Sequence, residues 1–70
     1  MVYQIKVKGV LDQSWSAWLG GVVITSEVAQ DGSAITTLVA DVPDQPALFG
    51  ILDRIRDLNL VLYSVTYADG

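Results

Sequence analysis

The stretch DQPALFGILDRIRDLNLVLYSV, Asp44 to Val65, reads as a helix, a stop and a strand in unbroken succession. Asp44 suits an N-cap, its carboxylate able to accept from backbone N–H groups of the first turn. Pro46 follows inside that turn, where an N–H has no helical partner to lose. Leu48, Ile51, Leu52, Ile55 and Leu58 recur at helical spacing and form one apolar stripe. Asp53, Arg54, Arg56 and Asp57 take the wet side. Asn59 stands where a helix ends through left-handed backbone, second only to Gly in that role. The run LVLYSVTY from Leu60 is then a strand, dense in β-branched and aromatic residues.

Upstream, VYQIKVKG alternates cleanly, with Tyr3, Ile5 and Val7 on one side and Gln4, Lys6 and Lys8 on the other. Gly9 ends this first strand. LDQSWSAWLGG predicts a short helix capped by Asp12, with Leu11, Trp15, Trp18 and Leu19 on a shared face and Gly20-Gly21 as its stop. The tryptophans are read as core rather than as an aromatic ligand box. VVITSEVAQDGSAITTLVA predicts a hairpin with strands over Val22–Val28 and Ala34–Ala40, joined by a two-residue type I′ turn at Asp31-Gly32. The order β-α-β-β-α-β is that of a ferredoxin-like α+β sandwich. Right-handed crossovers place two helices on one face of a four-stranded antiparallel sheet, with the first and third strands central and the second and fourth at the edges.

Seventy residues make a single domain, 1–70, at most. A core of that size rarely supplies more than about 3–5 kcal/mol of net stability. Disulfides, metals and partner subunits are the usual supplements. There is no Cys and no His, which removes disulfides and the common zinc ligands. Association between chains is what remains.

The formal net charge is −4, and the positive residues are Lys6, Lys8, Arg54 and Arg56. No basic patch suits nucleic acid, and an anionic membrane surface repels such a chain. The N-terminus shows no charged leader followed by an apolar run, and no apolar stretch reaches the length of a membrane span. The lack of cysteine fits a cytoplasmic protein.

Catalytic chemistry finds little purchase. Without His, the serines have no imidazole base for a nucleophilic relay. A serine paired with Lys6 or Lys8 requires a dry lysine, and these lie on a charged strand face. Asp12, Glu27, Asp31, Asp41, Asp44, Asp53, Asp57 and Asp69 each read as cap, turn or surface, and Asp41 with Asp44 as a solvated crossover rather than a working carboxylate pair. No metal or cofactor site is expected. Tyr63 and Tyr67 on the last strand recur as sheet aromatics do in single-stranded RNA stacking, but without adjoining basic residues beyond Lys6 and Lys8.

The segments VKGVLDQSWSAWLGGVVIT and DQPALFGILDRIRDLNLVLYSV resemble a family of short uncharacterised bacterial proteins, common in cyanobacteria, with a V-x-G-x-L-D-x-x-W-x-x-W opening and a D-Q-x-A-L-x-G-L-L-x-x-I-R-D-L-G-L ending. Val7, Gly9, Leu11, Asp12, Trp15, Trp18, Gly21, Asp44, Gln45, Ala47, Leu48, Gly50 and Ile55 to Leu58 carry the match. Two positions depart from it, Phe49 where relatives have His and Asn59 where they have Gly. A more local resemblance is to ACT regulatory domains, whose D-x-P-G-L-x-x-I run is similar to DQPALFGI. There it follows the first strand, whereas here it precedes the last. That resemblance implies a small-ligand-binding regulatory domain.

The leading expectation is a non-catalytic interaction module, a homo-oligomer joined through its sheet. Counting by alternation puts Val23, Ile35, Thr37 and Val39 on the face away from the helices. It also assigns Val61, Tyr63, Val65 and Tyr67 to one common face of the last strand. The ACT-like ligand sensor is the alternative.

Overall fold

The computed structural model describes residues 1–68, so Asp69 lies outside the described residues. The elements are β1 (Val2–Lys8), α1 (Trp15–Trp18), β2 (Val23–Val28), β3 (Ala34–Asp41), α2 (Gln45–Asp57) and β4 (Val61–Tyr67). They form one antiparallel sheet in the order β2-β3-β1-β4, with β1 and β3 central as the pattern predicts. The fold is the expected α+β arrangement.

α2 forms as its sequence dictates. The Asp44 carboxylate accepts from the Ala47 N–H at 3.0 Å, and Pro46 sits in the first turn. Leu48, Ile51 and Ile55 are buried against the sheet. At its far end Asn59 adopts φ +58. Its N–H donates to the Arg56 carbonyl, and the Leu60 N–H donates to that of Ile55, which together satisfy two of the helix's last carbonyls. The core lies on the helix side of the sheet, where Ile5, Val7, Leu19 and Leu38 are fully enclosed.

Three local expectations are corrected. First, α1 is a single turn. Asp12 does not occupy its N-cap. Instead the Asp12 carboxylate accepts from the Ser14 N–H at 2.9 Å, ordering the turn that precedes the helix. One turn cannot hold Leu11, Trp15, Trp18 and Leu19 on one buried face, because helical spacing relates side chains only within a helix. Leu11 and Leu19 enter the core, while Trp15 and Trp18 remain 38% and 42% exposed, packed edge to face at 5.6 Å.

Second, the β2–β3 connection is a three-residue loop. Ala29 N–H bonds to the Ser33 carbonyl, and Gly32 N–H bonds back to that of Ala29. Only Gly32, at φ +85, is left-handed, since Asp31 keeps negative φ. A turn over Ala29–Gly32 followed by a left-handed glycine is the usual three-residue hairpin solution.

Third, β4 is not a regular strand. Lys6 pairs with Ser64 while Val7 pairs with Leu62, so Tyr63 is an extra residue with no partner across the ladder. Such a bulge resets the alternation of the strand on either side of it.

Candidate interaction surface

Because Leu38 faces the core, Ile35, Thr37 and Val39 lie on the opposite side of β3, with Val23 beside them on β2. That part of the expected surface comes together. It is not bare, however. Lys6 on β1 and Glu27 on β2 meet at 3.6 Å across the intervening β3. Thr37, which pairs with Lys6 and Thr25, is only 7% exposed. Ile35 and Val39 are half-buried. An ion pair spanning strands shelters apolar side chains beneath its methylene stems. The outer face is therefore partly covered by the chain itself.

The β4 residues divide. Val65 lies opposite Ile5, and Tyr67 lies opposite Tyr3 with ring centroids 5.2 Å apart. Paired residues in an antiparallel ladder share a face, so Val65 and Tyr67 stand on the helix side. Val61, opposite Lys8, stands on the outer side. Tyr63 is the bulged residue. The expectation that these four share one face is thus corrected, because counting by two assumes an unbroken ladder.

On the helix side, the margin of β4 is poorly covered. Leu62, Val65 and Tyr67 are all exposed there, and Phe49 on the nearby flank of α2 is 56% exposed. Between them Leu52, Ile55, Leu60 and Leu62 line a shallow apolar groove of about 270 Å³, with Arg56 and Asn59 at its mouth. Two features made this margin hard to find from sequence. The bulge carries no sequence mark, and Phe49 sits one residue off the apolar stripe of its helix.

The two sheet edges are treated differently. At the β2 edge, the Gln13 amide donates to the Ile24 carbonyl at 2.7 Å, and the Ser16 hydroxyl donates to that of Val22. At the β4 edge, the Ala68 N–H donates inward to Val2. Alternation along the ladder then turns the backbone groups of Thr66 and Ser64 inward as well, and those of Val65 and Tyr67 outward to the free edge.

On the other flank of α2, a cleft of about 330 Å³ opens between α2, the end of the α1 segment at Leu19 and Gly20, and the crossover from β3, with Asp41, Ala47, Gly50, Ile51 and Arg54 in its lining. Arg54 is already engaged. Its guanidinium donates to the Trp18 carbonyl and lies 5.7 Å from that indole ring. Among the described residues, no three His, Cys, Asp or Glu side chains gather to hold a metal ion. No helix among the described residues is long and apolar enough to cross a membrane. Among the described residues, one carboxyl is displaced below its ordinary range. Asp31 is held below it by the Ser33 hydroxyl and N–H, which donate at 2.6 and 2.9 Å, and this is turn chemistry rather than a reactive site.

No curated protein matches the chain, and no solved structure does. A family model does match, over residues 2–66, which is nearly the entire sequence and every strand but the last residue of β4. The chain belongs to DUF8691, a family defined as a domain of unknown function.

Proposed function

We propose that the chain is a non-catalytic assembly module that associates with copies of itself through its sheet. The observation that carries this reading is β4. Val61, Leu62, Tyr63, Val65 and Tyr67 are all exposed on one edge strand, and VLYSVTY contains no charged residue. Exposed edge strands are ordinarily blunted with charge or proline. Contiguous apolar surface of several hundred Å² ordinarily marks an interface. The bacterial sequence pattern and the cysteine-free composition support a cytoplasmic setting in a bacterial cell.

Light scattering after size exclusion tests this directly. A dimer or larger species is expected at micromolar to millimolar concentration, with a thermal midpoint that rises with protein concentration. A folded monomer at every concentration would overturn the reading.

A ligand-sensing role, as in ACT domains, draws on the cleft between α2 and the crossover from β3. Its volume, about 330 Å³, lies within the range of small-molecule sites. Under that reading the midpoint rises with an added amino acid at fixed protein concentration. The two charged groups of this cleft are already engaged, Arg54 by the Trp18 carbonyl and Asp41 by the N-terminal amine at 3.6 Å, and the assembly reading is preferred.

A further inference from the structure

We infer that two copies pair edge to edge through β4, antiparallel about a two-fold axis at Thr66, so that their sheets become one. This rests on the self-association proposed above and names its geometry. Face-to-face packing of two sheets through the outer surface of Val23, Ile35, Thr37 and Val39 is the competing geometry.

The free edge itself specifies the register. Val65 and Tyr67 turn both their N–H and C=O groups away from β1. If Val65 of one copy lies opposite Tyr67 of the second, each exchanges both backbone hydrogen bonds with the other, and symmetry repeats the arrangement on the far side of Thr66. That register places an aromatic beside a β-branched residue on the helix side, and Thr66 beside its own copy on the outer side. Both are favourable cross-strand pairs. The bulge at Tyr63 ends the regular stretch, which confines pairing to the segment after it.

Charge permits a like partner. The chain carries a net −4, yet none of its acidic residues lies in β4. Two identical strands therefore meet without placing like charges opposite one another. The flank of α2 adds to the contact, because Leu52 lines a groove with Leu62 and the exposed Phe49 lies one turn before Leu52 on the same helix flank. Pairing brings the two α2 helices to either side of the axis with this apolar surface between them.

Area sets the strength. Tyr67 and Phe49, each about half exposed, offer roughly 200 Å² together. Val65, Thr66 and the strand backbone bring the surface to the order of 400 Å² per copy, at the weak and transient end of interfaces. Reversible association that weakens on dilution is the expected behaviour.

The second edge supplies the contrast. Gln13 and Ser16 occupy the outward carbonyls of Ile24 and Val22, and Glu27 adds a charge to β2. Among the described residues, side chains cap the start of the β2 edge, at Val22 and Ile24, and none caps the outward groups of Val65 and Tyr67.

Amide hydrogen exchange on the full chain tests the geometry without any mutation. In a monomer the Ser64 and Thr66 amides are protected by β1, while those of Val65 and Tyr67 exchange freely. Edge pairing protects Val65 and Tyr67 by on the order of tenfold or more, increasingly with protein concentration. Thr66→Lys, which places two ammonium groups at the axis, abolishes this protection and yields a monomer, while Val39→Lys on the outer face leaves the dimer intact. A dimer whose Val65 and Tyr67 amides still exchange freely, or one that Val39→Lys dissociates and Thr66→Lys does not, overturns edge pairing and leaves self-association standing. A chain that stays monomeric at millimolar concentration overturns both.

Discussion

Thr36 is the residue on which the β1–α1 connection depends. Its hydroxyl is wholly buried and donates to the Gly9 carbonyl at 2.6 Å, while accepting from the Leu11 N–H at 3.3 Å. Thr36→Val keeps the shape and leaves both backbone groups without a partner, so a loss of about 1–3 kcal/mol is expected in urea denaturation. At Asn59 the positive φ sets opposite outcomes for two substitutions. Asn59→Gly is expected to be neutral or stabilising by a few tenths of a kcal/mol, because Gly enters this region without strain. Asn59→Val is expected to lose about 1–2 kcal/mol. Equal denaturation midpoints for the two would contradict the helix stop described here. Asp31 gives a pH signature. Its carboxyl titrates lower in the fold than its ordinary value of 3.8, chiefly through the Ser33 hydroxyl. The associated stability is present above that value and is lost as pH falls through the depressed one. Asp31→Asn should therefore show a shallower fall of thermal midpoint on the acid side, with the neutral-pH slope unchanged.

Among the elements, α2 was legible almost to the residue, because cap, stripe and stop are all local to it. β1 was equally clear, since a central strand with one wet face alternates without interruption. α1 was not. Four apolar residues at helical spacing imply a longer helix only if the helix persists, and two glycines at positive φ end it after one turn. Trp15 and Trp18 consequently lie on the surface, where Arg54 covers one of them. Replacing either with Ala is expected to cost about 1–2 kcal/mol, well under the 3–5 kcal/mol typical of a buried aromatic. Near-UV dichroism with urea denaturation measures this, and a largely unfolded variant would restore the tryptophans to the core. The hairpin loop shows a different limit. Asp-Gly is a signal for a two-residue turn, yet Ala29 and Ser33 close the ladder one step earlier and make Asp31 an ordinary turn residue. In β4 the candidate surface was half legible. Its apolar character could be read from VLYSVTY, but its facing could not, because the bulge depends on register against β1 and not on any residue type at Tyr63.

At the scale of the whole molecule, the small core and the uneven exposure belong together. Thirteen buried apolar residues form the core cluster. α2 shields the middle of the sheet and leaves the β4 margin open. A chain this short gains most from a neighbour at the place where its own cover runs out. The side chains of Gln13 and Ser16, laid against the start of the β2 edge, then bear on how far association would go. On the proposed edge pairing, Gln13 and Ser16 give the subunit a valency of one, so edge addition is expected to terminate at a pair. Removing both hydroxyl and amide, as in Gln13→Ala with Ser16→Ala, raises the valency to two. Such a subunit is expected to grow as an open polymer, seen as scattering that increases with time and concentration while dichroism stays native-like. One side chain from the β1–α1 loop and one from α1 would thus act as a chain terminator, the difference between a closed pair and a fibre.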